Sequence, residues 1–294
     1  MPGPDPLAAL ASRPAVVDAV AAARQACTEL RWHPALRRRT AEVRTEACVR
    51  AAAASAELDG VRLPLAQVRA MVAPTGSSGG HPVGAADAVG PVDAVGPVGA
   101  VDGLDGLDAV GAVVRGALRA TLAAFDLARG LDQAPAQVIA RLHTLAAADL
   151  VGLADQAGPV GGGSLGRPAA SATGRVQGLV RLLAGGTHAP GPVLAALAEA
   201  ELTVTGAFTP SGGVVARALA RTVVVASGLD PHGVVVPERH GLTDRSGREA
   251  ALAGYATGDV DGVQAWVLWW AEAVVAGAGH GRRVAEEVMA GRLA

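Results

Sequence analysis

The sequence predicts an all-α fold, a helical bundle with at most a small β-hairpin. Three observations carry that prediction. Apolar residues recur three and four positions apart through most of the chain, as in "AVVRGALRATLAAFDLARG" and "VDGVQAWVLWWAEAVVAGAG". Proline near the starts of these runs and glycine at their ends supply the punctuation that helix termini prefer. Strand signals are nearly missing, and "GVVVPE" at 233–238 is the one mild candidate. The pattern reads as eight to ten helices.

Taken in order, residues 15–56 read as two helices, "AVVDAVAAARQACTELRW" and "ALRRRTAEVRTEACVRAAAASA", parted at His33–Pro34. Pro64 opens a short third helix, "PLAQVRAMV", at a position where no intrahelical donor is needed. The block 73–109 differs in kind. Its repeated Gly-Pro-Val-Asp units have neither period, and such composition buries too little surface to offset its ordering entropy. It reads as a flexible linker or insert. Helical periodicity returns at Val110 and holds to the end. The chain thus divides into an N-terminal helical region (1–72), the linker (73–109) and a helical core (110–294).

Composition narrows the function classes. Half of the 294 residues are hydrophobic but only 2% are aromatic, so the core is built from Ala, Val and Leu on closely spaced helices. All the basic residues are arginine, and the net charge of −2 leaves no footprint for nucleic acid beyond "RWHPALRRR". Cys27 and Cys48 lack metal or redox spacing and read as reduced, buried thiols. The first residues lack the charge and apolar core of a signal peptide, and Arg217 and Arg221 interrupt the best apolar run. A cytoplasmic protein without nucleic-acid or membrane partners is expected.

The stretch "GAFTPSGGVVARALARTVVVASGLDP" at 206–231 is a glycine-rich turn that opens a helix. Gly212 and Gly213 permit backbone shapes that a β-carbon forbids, and Ser211 beside them is small. The amides of the helix's first turn lack internal partners and carry the positive end of its dipole. With Arg217 one turn in, the stretch is a candidate cradle for a phosphate or carboxylate. The plainer reading, that the glycines only end one helix and start the next, stays open.

The same residues resemble the signature of the Fic (Fido) family of nucleotidyl transferases, H-x-F-x-(D/E)-G-N-G-R-x-x-R. Phe208, Gly213 and Arg217 match it, and "VARALAR" and "GLDP" resemble the residues C-terminal to it in that family. Gly206 stands in the place of the catalytic His, Pro210 in that of the metal-positioning acid and Ser211 in that of the first Gly. Gly212 takes the Asn position and Val214 that of the first Arg. A second stretch, "ASAELDGVRLPLAQVRAM" at 54–71, resembles the inhibitory segment of autoinhibited Fic proteins, (S/T)-x-x-x-E-(G/N), through Ser55, Asp59 and Gly60. The resemblance implies a Fic-like helical core in which Asp59 meets Arg217. It implies nucleotide contacts from Phe208, Ser211, Gly212, Gly213 and Arg217, with ATP or ADP bound without Mg. No counterpart of the family's substrate-aligning hairpin is found between 157 and 190.

Glycine can neither take a proton nor hold a metal through a side chain, and a missing general base alone costs roughly 10²–10⁴-fold. The resemblance therefore implies a pseudoenzyme that binds a nucleotide-like anion or a protein partner, a second copy included, without adenylyl transfer. Two alternatives remain. One is a transferase of altered chemistry using a base from elsewhere, Glu201 or His188. The other is an interaction module that binds no ligand, organised by the tryptophan face of Trp266, Trp269 and Trp270.

Other features read as structural. Gly161, Gly163 and Gly166 satisfy G-x-G-x-x-G, but a helix precedes them where a dinucleotide site needs a strand. His232, Glu238 and His240 share no helix face suited to a metal, so none is expected. His143 reads as a buried structural histidine, the tryptophans as the core anchor and Arg37–Arg39 as a solvated face.

Overall fold

The computed structural model describes residues 5–72, 108–157 and 165–293. Nearly all of the expected 73–109 linker, with Gly161 and Gly163, lies outside them. The chain opens with a single turn, α1 (Ala8–Ala11), and Pro14 then begins α2 (Pro14–Arg31). After His33–Pro34 comes another single turn, α3 (Ala35–Arg38), and only then α4 (Thr40–Leu58). Periodicity predicts one helix across this region; the break falls at Arg39, whose φ is −136° and ψ 37°. Its side chain reaches Glu42 and the carbonyl of Val288 near the far end of the chain, a tertiary tie that overrides local pattern. A short α5 (Leu65–Ala70) follows.

Next come α6 (Asp108–Leu127) and α7 (Pro135–Ala157), joined by a tight connector containing one 3-10 turn. Gly116 lets them close: a β-carbon there would stand 2.0 Å from the Ala146 carbonyl oxygen. The rest of the chain forms α8 (Thr173–Arg181), α9 (Gly191–Thr205), α10 (Gly212–Ala226), α11 (Glu238–Thr243), α12 (Arg245–Thr257) and α13 (Val260–Met289). The thirteen helices among the described residues exceed the expected eight to ten because several are single turns that periodicity merges or misses.

The described residues contain no strand, and "GVVVPE" is corrected accordingly. Val234, Val235 and Val236 are extended and buried, but they lie on α13. Gly277 and Gly281 make that approach possible, since β-carbons there would meet the 234–237 backbone at 2.5–2.8 Å. The Asp230 carboxylate takes up the amides of Val234 and Val235 at 2.6 and 2.7 Å, so the segment needs no strand partner.

Helix α10 sits in the middle, with eleven of its fifteen residues buried among α4, α6, α7 and α9. The long α13, about 45 Å at 1.5 Å per residue, packs on α2, α9, α11 and α12. Its tryptophans tie these layers together. Trp266 donates to the Ala196 carbonyl of α9, Trp270 to Glu199 of α9 and Trp269 to Asp244, the cap of α12. Cys27 and Cys48 are buried free thiols. Among the described residues no helix is long and apolar enough to cross a membrane.

Candidate functional site

Helix α4 ends by a rule its own residues dictate. Gly60 adopts φ +85°, which β-carbons disfavour. Its amide bonds back to Glu57 and that of Val61 to Ala56, the paired closure of a Schellman motif. Asp59 is thereby held as the C-cap, the residue just past Leu58 at the end of α4. Ser55, one turn earlier, lies on the same face and is buried.

The glycine turn is built from the other side. Gly206 ends α9 in the left-handed region, at φ +56°. Phe208 is buried, its ring 4.9 Å from that of His143 on α7, and it anchors the turn from below. The Thr209–Pro210 peptide is cis. Ser211 then takes φ +69° as the residue before α10, so Gly212 and Gly213 form the helix's first turn. No side chain of the turn caps the orphan amides there.

Asp59 comes to this open end. A β-carbon on Gly213 would lie 2.4 Å from the Asp59 Oδ1, so only glycine admits the carboxylate at the start of α10. Arg217, one turn on, donates to Ser55 Oγ at 2.7 Å and to the Ser55 carbonyl at 2.9 Å, and its Nη2 pairs with Asp59 Oδ1 at 2.8 Å. The guanidinium is buried at 4% exposure, whereas the Asp59 side chain keeps 30%. Solvent thus reaches the acid but not the base of the pair. Ser55, Asp59, Gly213 and Arg217 form one closed cluster, with the negative charge beside the positive end of α10.

The other residues that align with the Fic-like signature carry no reactive side chain. Gly206 is exposed and has no side chain, Pro210 offers no ligand atom, and Val214 is buried. His143 does not replace the missing base. Burial pushes its pKa down, its Nδ1 accepts from the Gly166 amide at 3.0 Å, and its ring is fully enclosed. Glu201 is engaged by Nε and Nη2 of Arg175, each at 2.8 Å, and by the Tyr255 hydroxyl at 2.5 Å. The amide of His188 is tied to Asp5. Among the described residues no group of three His, Cys, Asp or Glu side chains suits a metal ion.

No protein-family model matches the chain, and no characterised protein matches it either. The likeness to the Fic signature rests on the two stretches themselves.

Two features of this region escape sequence reading. His143 supports Phe208 from a helix more than sixty positions away, and nothing local announces the pairing. Asp230 folds the residues after α10 by accepting four backbone amides, from His232 to Val235. The signal was present in "GLDP", since aspartate before proline favours a turn.

Proposed function

We propose that the chain is a Fic-like pseudoenzyme, without adenylyl transfer, whose glycine turn binds a nucleotide-like anion. Asp59 of its own N-terminal region holds that site shut. The observation that supports this reading is the seat of the Asp59 carboxylate, over Gly213 and against Arg217. An internal anion already occupies the place a phosphate would take. The absence of a side chain at Gly206 and of a ligand atom at Pro210 argues against transfer.

Calorimetry on the whole chain with ADP and ATP, without Mg, tests it. Asp59→Asn keeps the shape and removes the competing charge, so affinity rises at least about tenfold, or 1.4 kcal/mol. Arg217→Ala loses the gain. Equal binding by all three proteins, or none by any, removes the anion role and leaves the interaction module. Label from ATP appearing on any protein of a cell lysate would instead restore the transferase.

A further inference from the structure

The stretch "RWHPALRRR" at 31–39 belongs neither to the glycine turn nor to the tryptophan layer of α13, and the fold makes it a surface platform. Trp32 caps the end of α2 and is 63% exposed, whereas Trp266 and Trp270 are buried and Trp269 is partly so. Each of those three gives its indole N–H to a carbonyl or a carboxylate. The Trp32 N–H has no acceptor among the described residues. An indole with an apolar body and a spare donor is the side chain most favoured at the centre of interfaces.

The platform is held from beneath. The His33 amide bonds to the Leu30 carbonyl, His33 Nδ1 accepts from the Ala35 amide, and Ala35 and Leu36 are buried. The single turn α3 therefore presents its other two residues, Arg37 and Arg38, to solvent. Arg37 lies over the indole, its guanidinium carbon 5.5 Å from the ring centroid, in a cation–π contact. Neither arginine has a carboxylate partner among the described residues. The acids nearest in the chain are engaged elsewhere, Glu29 by Gln25 and Arg282 and Glu42 by Arg39.

We propose that this platform docks an acidic peptide segment of a partner protein, one with an aliphatic side chain between carboxylates. The aliphatic group lies on the indole, the Arg37 and Arg38 forks take the carboxylates, and the Trp32 N–H meets a backbone carbonyl. Charge complementarity selects this occupant. Two arginines fall short of the roughly four to eight cations that hold a protein on an anionic membrane. A nucleic-acid strand needs a basic track with several stacking rings, and here a single ring is already shared with Arg37. The platform acts whether or not the glycine turn binds an anion.

Fluorescence anisotropy of the full chain with a labelled Glu-Asp-Leu-Asp-Glu peptide tests the proposal. The same peptide with Gln and Asn in place of the acids binds at least about fivefold more weakly, because it cannot pair with the arginines. Trp32→Ala and Arg38→Gln, both at exposed positions, each weaken the acidic peptide about fivefold or more. Arg129→Gln, an exposed arginine on another element, leaves it unchanged. The bound peptide also shields tryptophan emission from acrylamide, and this shielding disappears in Trp32→Ala. No binding, equal binding of the two peptides, full affinity in Trp32→Ala or Arg38→Gln, or an equal loss in Arg129→Gln overturns the proposal. Binding of phosphatidylserine vesicles or oligothymidylate in place of the peptide overturns it too and reassigns the platform to a membrane or a single strand.

Discussion

Adding one methyl group at Gly213 and one at Gly212 should move stability in opposite directions. Both residues lie in the first turn of α10, and alanine gains about 0.5–1 kcal/mol over glycine in a helix. At Gly212 a β-carbon meets nothing within 4 Å, so Gly212→Ala keeps most of that gain. At Gly213 the new carbon falls 2.4, 2.8 and 2.9 Å from the three terminal atoms of Asp59. Ordinary contact needs at least about 3.4 Å, so the carboxylate must retreat by roughly 1 Å and its 2.8 Å contact with Arg217 breaks. Overpacking of this kind costs about 1–3 kcal/mol. Loss of the ion-pair contact with the buried guanidinium adds about 1 kcal/mol, discounted because Asp59 is partly exposed. Gly213→Ala is therefore about 1–3 kcal/mol less stable in urea denaturation, while Gly212→Ala is equal to or above the parent. The decisive control is a double-mutant cycle. Once Asp59→Ala has cleared the space, Gly213→Ala becomes stabilising. A penalty that persists without Asp59, or Gly213→Ala matching Gly212→Ala from the start, refutes the placement of the acid.

Three further outcomes are expected. Burial, with Arg50 and Arg283 nearby, pushes the pKa of His280 down from 6.5 to about 4. Between those values the unfolded chain holds a proton that the folded one refuses, so this contribution is intact above pH 6.5 and is lost as pH falls to 4. Allowing for partial exposure it is about 2 kcal/mol, and His280→Gln should shrink the stability difference between pH 7 and pH 4.5 by that amount in denaturant titrations. Trp270→Phe removes an indole donor from buried Glu199, which keeps Arg248, and should cost about 2 kcal/mol in the same assay. Burial pushes the Cys27 thiol up to about 12 and also raises that of the fully enclosed Cys48. Neither should react with a thiol reagent at pH 8 until denaturant is added, when both should.

The parts of this molecule legible in its sequence are those set by short-range rules. The body of α10, the glycine turn before it and the closure of α4 at Gly60 follow from periodicity and from glycine's freedom at positive φ. The meeting of Asp59 with Arg217 is implied by resemblance alone, and the two side chains stand 2.8 Å apart. What stays hidden depends on distant partners. The break at Arg39 answers to Val288, and the buried state of 234–236 depends on Gly277 and Gly281 of α13. His143 finds Phe208 only once α7 is in place. A valine run beside a proline looks like a strand until the grooved helix that receives it is known.

The scarcity of aromatic side chains has a corollary for how this protein tolerates change. Its helices meet neighbouring backbone closely at Gly116, Gly262, Gly277 and Gly281, where an extra carbon would stand under 3 Å from another stretch of main chain. Main chain cannot swing aside as a side chain can. Harmful variation should therefore concentrate at its smallest residues, and the usual expectation that trimming a core does the most damage is reversed along these seams.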